Sequence, residues 1–260
     1  MKVFLLTDLE GIPGVNTIDQ MERMSPPNMQ AKEMLGQWIN KTAAYCREFG
    51  ADTVYYLDGH AGGGNVFEEQ IDPTLIKCTI PDWVELLKKG EIDAQIELGA
   101  HARAGTLGGF LDHTISSREW FRYTLGGQEY SELALHAALC GVYGVPIVAC
   151  IGDRAACEQA KEYIPKIVTG EVKVASCRNL CTDLPDPEGI VRETVKQALA
   201  RYREIPPMQV SLPTTLELTY YRTDMCEKAL SRAVGPVERP DARTLRKTLQ
   251  KIETYADLKF

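Results

Sequence analysis

Two acids stand two residues apart in Asp8-Leu9-Glu10, directly after a short apolar run. Residues at that spacing on an extended chain point to the same side, so their carboxylates repel unless something positive lies between them. A divalent cation meets that need, and one carboxylate can bridge two such ions. The spacing recurs in Asp58-Gly59-His60, which adds an imidazole, a zinc ligand type, to the carboxylates. A plain acid pair beside a turn would read the same way, because Gly11, Pro13 and Gly14 follow the first pair. Gly62-Gly63-Gly64 after the second pair lets backbone approach a ligand closely, or is simply a flexible loop.

The chain has four histidines, and three of them (His60, His101 and His113) follow strand-like segments or lie in the loop between them. A single histidine is more often a surface or core residue than a ligand, so the grouping carries the reading. Small residues surround His101 in Gly99-Ala100-His101-Ala102-Arg103-Ala104-Gly105-Thr106, which suits a crowded site. Glu132 and the fourth histidine, His136, are four apart on a predicted helix and share its face. That spacing is not the His-Glu-x-x-His signature, and a solvated helix face would show it equally. Taken together, Asp8, Glu10, His60, His101 and Glu132 form a donor set for a hard-to-borderline metal such as zinc. Two close ions can polarise a carbonyl and hold a leaving group. The chain has no Gly-x-Ser-x-Gly elbow and no Gly-x-x-x-x-Gly-Lys-[Ser/Thr] phosphate loop.

The elements that must position these groups alternate. Val3 to Thr7, Ala51 to Leu57, Ala94 to Gly99 and Val145 to Ile151 read as strands, and Gln30 to Phe49 and Gln128 to Val142 as helices. This predicts an α/β fold with a largely parallel sheet flanked by helices. Each strand ends in ligand-capable residues: Asp8 and Glu10, Asp58 and His60, His101, and Asp153. In such sheets ligands bind outside the carboxyl ends of the strands, so these residues converge if the strands are parallel neighbours. The last third of the chain looks different: Glu188 to Arg203 reads as a helix, Val210 to Tyr221 as a half-exposed strand, and Thr223 to Ala233 and Asp241 to Ala256 as helices. The expected organisation is a catalytic α/β domain over 1–205 and a C-terminal α+β subdomain over 206–260 packed on it.

A formal net charge of -7 and no basic stripe argue against a nucleic-acid binder. The apolar run at the start is too short for a signal-peptide core, and no stretch has the length of a membrane span, so a cytoplasmic protein is expected. The eight cysteines form no Cys-x-x-Cys pair, and the Cys177/Cys181 spacing lacks partners for a zinc knuckle. Reduced, mostly buried thiols are expected.

Thr7-Asp8-Leu9-Glu10-Gly11-Ile12-Pro13-Gly14-Val15 resembles the opening motif of the zinc-dependent, DppA-type D-aminopeptidases. The Gly99–Thr106 segment resembles that family too, as do, in order, His113-Thr114-Ile115-Ser116-Ser117, Gly126-Gly127-Gln128 with Glu132, Gly144-Val145-Pro146 with Gly152-Asp153, Pro213–Glu217 and Arg239–Thr248. The resemblance implies two zinc ions per subunit. Asp8 bridges them, Glu10 and His60 bind one, His101 and Glu132 bind the other, and His113 is the catalytic histidine beside them. It also implies removal of an N-terminal D-residue, such as D-alanine, from short peptides or amides, and a homo-oligomer in which stacked pentamers form a decamer. Thr7 and Leu9 replace the family's usual Ser and Met, Asp58-Gly59-His60-Ala61 replaces Asp-Ser-His-Gly, and His136 stands where Asn is expected. None of these changes removes an expected ligand. On the residues alone, a dinuclear phosphoesterase (from Arg103 and the glycine loop) and a non-catalytic metal- or peptide-binding protein of the same fold stay open.

Overall fold

A computed structural model describes residues 1–260. In chain order the strands are β1 (Lys2–Thr7), β2 (Thr53–Asp58), β3 (Ile76–Lys77), β4 (Ala94–Ala100), β5 (Trp120–Leu125), β6 (Gln128–Glu129), β7 (Ile147–Asp153), β8 (Val168–Cys177), β9 (Leu180–Asp183), β10 (Thr214–Tyr220) and β11 (Thr244–Leu249). The helices are α1 (Pro26–Glu48), α2 (Ile80–Lys88), α3 (Glu132–Val142), α4 (Arg154–Tyr163), α5 (Pro187–Ala200) and α6 (Thr223–Leu230).

β1, β4 and β7 are buried along almost their whole length, the signature of parallel strands covered on both faces. They sit inside a seven-stranded sheet of order β3-β2-β1-β4-β7-β8-β9. All its pairings are parallel except that of the edge strand β9 with β8. From β1 the chain winds outward through β2 and β3, then returns to the other side of β1 for β4 and continues outward. That reversal places a topological switch point between β1 and β4, where open α/β sheets bind ligands. Thr7 is level with Asp58 on one side and Leu98 on the other, so the residues after β1, β2 and β4 emerge at one edge.

The backbones there are in close contact. A Cβ on Gly99 would stand 2.0 Å from the Asp8 carbonyl oxygen, and one on Gly11 would stand 2.2 Å from that of Ala100. Only glycine permits this approach. Asp8 N and Gly11 N donate to the Leu98 and Gly99 carbonyls at 2.8 and 2.9 Å, which locks the Asp8–Glu10 segment onto the end of β4.

A second, antiparallel sheet has the order β11-β10-β5-β6. Residues after 205 therefore share a sheet with 120–129, and the chain passes from that sheet through α3 into β7. The Asp241–Ala256 helix expected from sequence is instead β11, followed by a short 3-10 turn at Tyr255–Leu258. Leu245, Lys247 and Leu249 alternate there opposite Leu218, Leu216 and Thr214 of β10, a period of two that the intervening charges had masked. The helix expected from Gln128 begins at Glu132, because Gly126 and Gly127, both at positive φ, turn a two-residue hairpin that pairs Gln128 with Leu125. α1 starts earlier than expected: the Ser25 side chain caps it and two prolines open its first turn. Every cysteine except Cys177 is buried, and all are free. No helix is long and apolar enough to cross a membrane.

Candidate metal centre

Asp8 leaves the end of β1 with its two oxygens turned to different partners. Oδ1 lies 3.1 Å from His60 Nδ1, and Oδ2 lies 3.3 Å from His101 Nε2. On the Oδ1 side, His60 Nδ1 is also 2.8 Å from Glu10 Oε2. On the Oδ2 side, His101 Nε2 is 3.5 Å from Glu132 Oε1, which is itself 3.5 Å from His113 Nε2. Asp8–Glu10–His60 and Asp8–His101–Glu132 are each sets whose donor atoms lie within 4.8 Å of one another, with Asp8 common to both. Glu10, His101 and His113 form a third such set. All six residues singled out in the sequence therefore come together.

Three of the donors are held from behind. His101 Nδ1 is 3.0 Å from the Ala102 carbonyl and His113 Nδ1 is 2.8 Å from that of Leu111. A carbonyl only accepts, so both Nδ1 atoms carry a proton and both Nε2 atoms are turned to the centre. The two rings stack at 4.0 Å, 10° from parallel. Glu132 is the first residue of α3, where the helix dipole favours a carboxylate, and its Oε1 accepts from Ile115 N at 2.6 Å. Leu111 and Ile115, on either side of His113, both have positive φ. For a β-branched residue such as Ile115 this is strained backbone, which persists only where the surroundings dictate it. Here Leu111 N bonds Arg178 O, His113 N bonds Ala102 O, and Glu132 holds Ile115 N.

The charge pattern fits a cation. Burial alone would raise the Asp8 carboxyl, but contacts with His101 and His60 outweigh it and hold Asp8 well below the usual range. Burial would likewise lower His60, yet Glu10 and Asp8 push it up to about 11. Glu132, despite its burial, is held at about 2, chiefly by His101. Three acids thus draw positive charge to one point. Meanwhile His101 Nε2 is fully buried and aligned for no hydrogen bond. Against the effect of burial, Asp8 and Glu132 push the His101 imidazole well above its usual range, so this buried nitrogen must carry a positive partner, a proton or a metal ion, and oxygen plus imidazole donors are a zinc set. The residues present fit the metal that the resemblance implied.

Other polar residues at the strand ends do structural work. Asp58 accepts from Asn65 N and Nδ2 at 2.6 and 3.0 Å and shapes the His60 loop. Asp153 caps α4 through Ala156 N and accepts from Phe110 N at 3.0 Å, so it is not a ligand. His136 is buried, 3.2 Å from Glu97 and 3.4 Å from the Tyr255 hydroxyl, a satisfied core histidine that also lines the cavity. Arg103 is engaged by Glu129 and Glu162.

Lys173 escaped the sequence reading. It is fully buried on β8, and its ammonium donates to the Glu10 carbonyl at 3.1 Å and to that of Val15, fastening the loop that carries Glu10. A lysine so far along the chain shows no sequence signal of that role. The centre opens into a cavity of about 960 Å³, whose lining includes Trp83, Tyr255 and Lys259.

Similarity to known proteins extends over nearly the whole chain. A D-aminopeptidase from Bacillus subtilis (strain 168) is 26% identical over 214 residues, covering 80% of this chain and 77% of that protein. The solved structure of the Zn-dependent D-aminopeptidase DppA from Bacillus subtilis, described as a self-compartmentalizing protease, superposes with a TM-score of 0.91 at 22% identity, over 99% of this chain and 95% of that one. The profile of the peptidase M55 family, described as D-aminopeptidase, matches residues 1–258. The chain belongs to the peptidase M55 family of D-aminopeptidases.

Proposed function

We propose that the protein is a dinuclear zinc aminopeptidase that removes N-terminal D-amino acids from short peptides or their amides. The observation that carries this reading is Asp8, whose two oxygens face separate donor sets. Asp8, Glu10 and His60 would hold one ion, and Asp8, His101 and Glu132 the other, with Asp8 shared. When bound, such ions supply Lewis acidity: they polarise a carbonyl and make water acidic enough to ionise near neutral pH. The chain's own residues do the rest. His113 carries its proton on Nδ1, so Nε2 is free to take a proton from the attacking water and return it to the leaving amine. The stacked His101 ring and the strained backbone on either side of His113 keep that nitrogen aimed at the centre.

The test is metal analysis of the purified protein, chelation, and refilling with zinc, followed by a screen of chirally paired dipeptides. We expect close to two ions per chain and restored cleavage of peptides with an N-terminal D-residue. Two bound ions with no cleavage of either enantiomer would reject the peptidase reading. With Arg103 tied to glutamates, no observation favours a phosphoesterase. We further propose a homo-oligomer, with light scattering expected to show about ten chains per particle, as the resemblance implied. A monomer in solution would overturn this.

A further inference from the structure

The cavity beside the metal centre has a divided charge pattern. Its lining holds the acids of the metal centre (Asp8, Glu10 and Glu132) and four cations: Arg23, Arg118, Arg178 and Lys259. Two of these cations are committed elsewhere. Arg23 donates to the Ala61 carbonyl at 2.9 Å and so supports the His60 loop, while Arg178 pairs with Asp112 at 3.2 Å. Arg118 is exposed to solvent, where an unpaired charge costs little.

Lys259 differs. It is only partly exposed, and its ammonium forms no ion pair, resting instead 4.1 Å from the centre of the Tyr255 ring. That ring belongs to an aromatic wall: Tyr255 lies 6.0 Å from Trp83 and 5.6 Å from His136, and those two meet edge-on at 5.6 Å. An ammonium has three donors and no acceptor. Held against an aromatic wall it loses water, and a ring face replaces only part of that hydration. The group is therefore poised for an anion entering from the cavity.

The aminopeptidase reading, on which this step rests, says which anion to expect. A short peptide has two charged ends. Cleavage after the first residue sets that residue's carbonyl at the metal centre, and the carboxylate one residue on then needs a cation elsewhere on the cavity lining. We propose that Lys259 Nζ binds the C-terminal carboxylate of the substrate, so that the enzyme is built for free dipeptides rather than for aminoacyl amides or the ends of long chains. The aromatic wall beneath Lys259 packs against the second residue and keeps water from the ion pair. Lys259 then determines specificity and takes no part in the chemistry.

The test compares D-alanyl-D-alanine with D-alanyl-D-alaninamide, which lacks the charged end. With zinc-loaded wild type, kcat/KM is expected to favour the free acid about 10–100-fold, the worth of hydrogen bonds to a charged group, mostly through KM. In Lys259→Met that ratio should collapse toward one, and in Lys259→Arg it should largely survive. A wild-type ratio near one, or a ratio that survives in Lys259→Met, overturns the proposal. If the Met variant does not fold, the wild-type ratio still decides. If neither compound is cleaved, the aminopeptidase reading fails separately. Calorimetric Kd values for the same two compounds on wild type then decide the carboxylate contact, with equal affinities rejecting it.

Discussion

At the scale of single residues, the centre depends on which nitrogen of each imidazole carries the proton. The Ala102 and Leu111 carbonyls settle that for His101 and His113. The two histidines differ in what their Nε2 meets. That of His101 is buried between Asp8 and Glu132, whereas His113 lines the open cavity. His113→Ala should therefore keep its bound zinc, read by metal analysis, while kcat falls about 10²–10⁴-fold, the usual worth of a positioned acid-base group. Loss of metal would instead make His113 a ligand in the set it forms with Glu10 and His101. The types and two-residue spacings of Asp8, Glu10 and His60 were legible in the sequence, because strand geometry fixes the side to which such residues point. Lys173, Lys259 and Tyr255 were not, because a lone lysine or tyrosine far along the chain reads as ordinary surface or core.

At the scale of elements, the site is the place where β1 and β4 nearly touch. Gly99 has φ +87°, and a Cβ there would meet the Asp8 carbonyl oxygen, backbone that no rotamer change can relieve. Gly99→Ala should cost about 2–4 kcal/mol of stability by chemical denaturation, and it should weaken zinc binding by displacing Asp8. Gly90 also has positive φ but nothing within 4 Å, so Gly90→Ala should cost only about 1 kcal/mol and leave zinc binding alone. A second contact between elements is sensitive to pH. Asp72 is held at about 2 by hydrogen bonds from the Thr74 side chain and backbone and by Arg47 of α1. A carboxyl depressed in the folded state stabilises above its unfolded pKa, and that contribution is lost as pH falls through the folded value. Asp72→Asn should therefore be less stable than wild type at pH 7 in thermal melts, with the gap closing between about pH 4 and pH 2. A gap that stayed constant down to pH 2 would count against the charge as its source.

At the scale of the whole molecule, the proposed ligands come from the end of β1, the loop after β2, the end of β4 and the start of α3. A metal bound to all of them ties together segments that enclose much of the parallel sheet and the connection to the second sheet. It should stabilise folding by mass action. At free zinc a hundredfold above Kd, one site contributes about 2.7 kcal/mol, or roughly 5–10 °C in melting temperature for a chain of this size. Calorimetric melts with and without chelator check this, and an unchanged melting temperature would mean that the donor sets do not bind zinc in the folded protein.

By itself the sequence determined the alternation of strands and helices, the types of the candidate donors, and the ordered motifs that carry the family resemblance. These are local properties, written in side-chain chemistry and in periods of two and 3.6 residues. Only the tertiary structure decided that β1 lies between β2 and β4, which turns three separated motifs into one centre. Strand order depends on long-range packing and leaves no local trace. It likewise decided that Asp58 and Asp153 are structural, that 241–256 builds a strand of the second sheet, and that Lys259 faces the cavity. In each case the deciding fact is a neighbour distant in sequence.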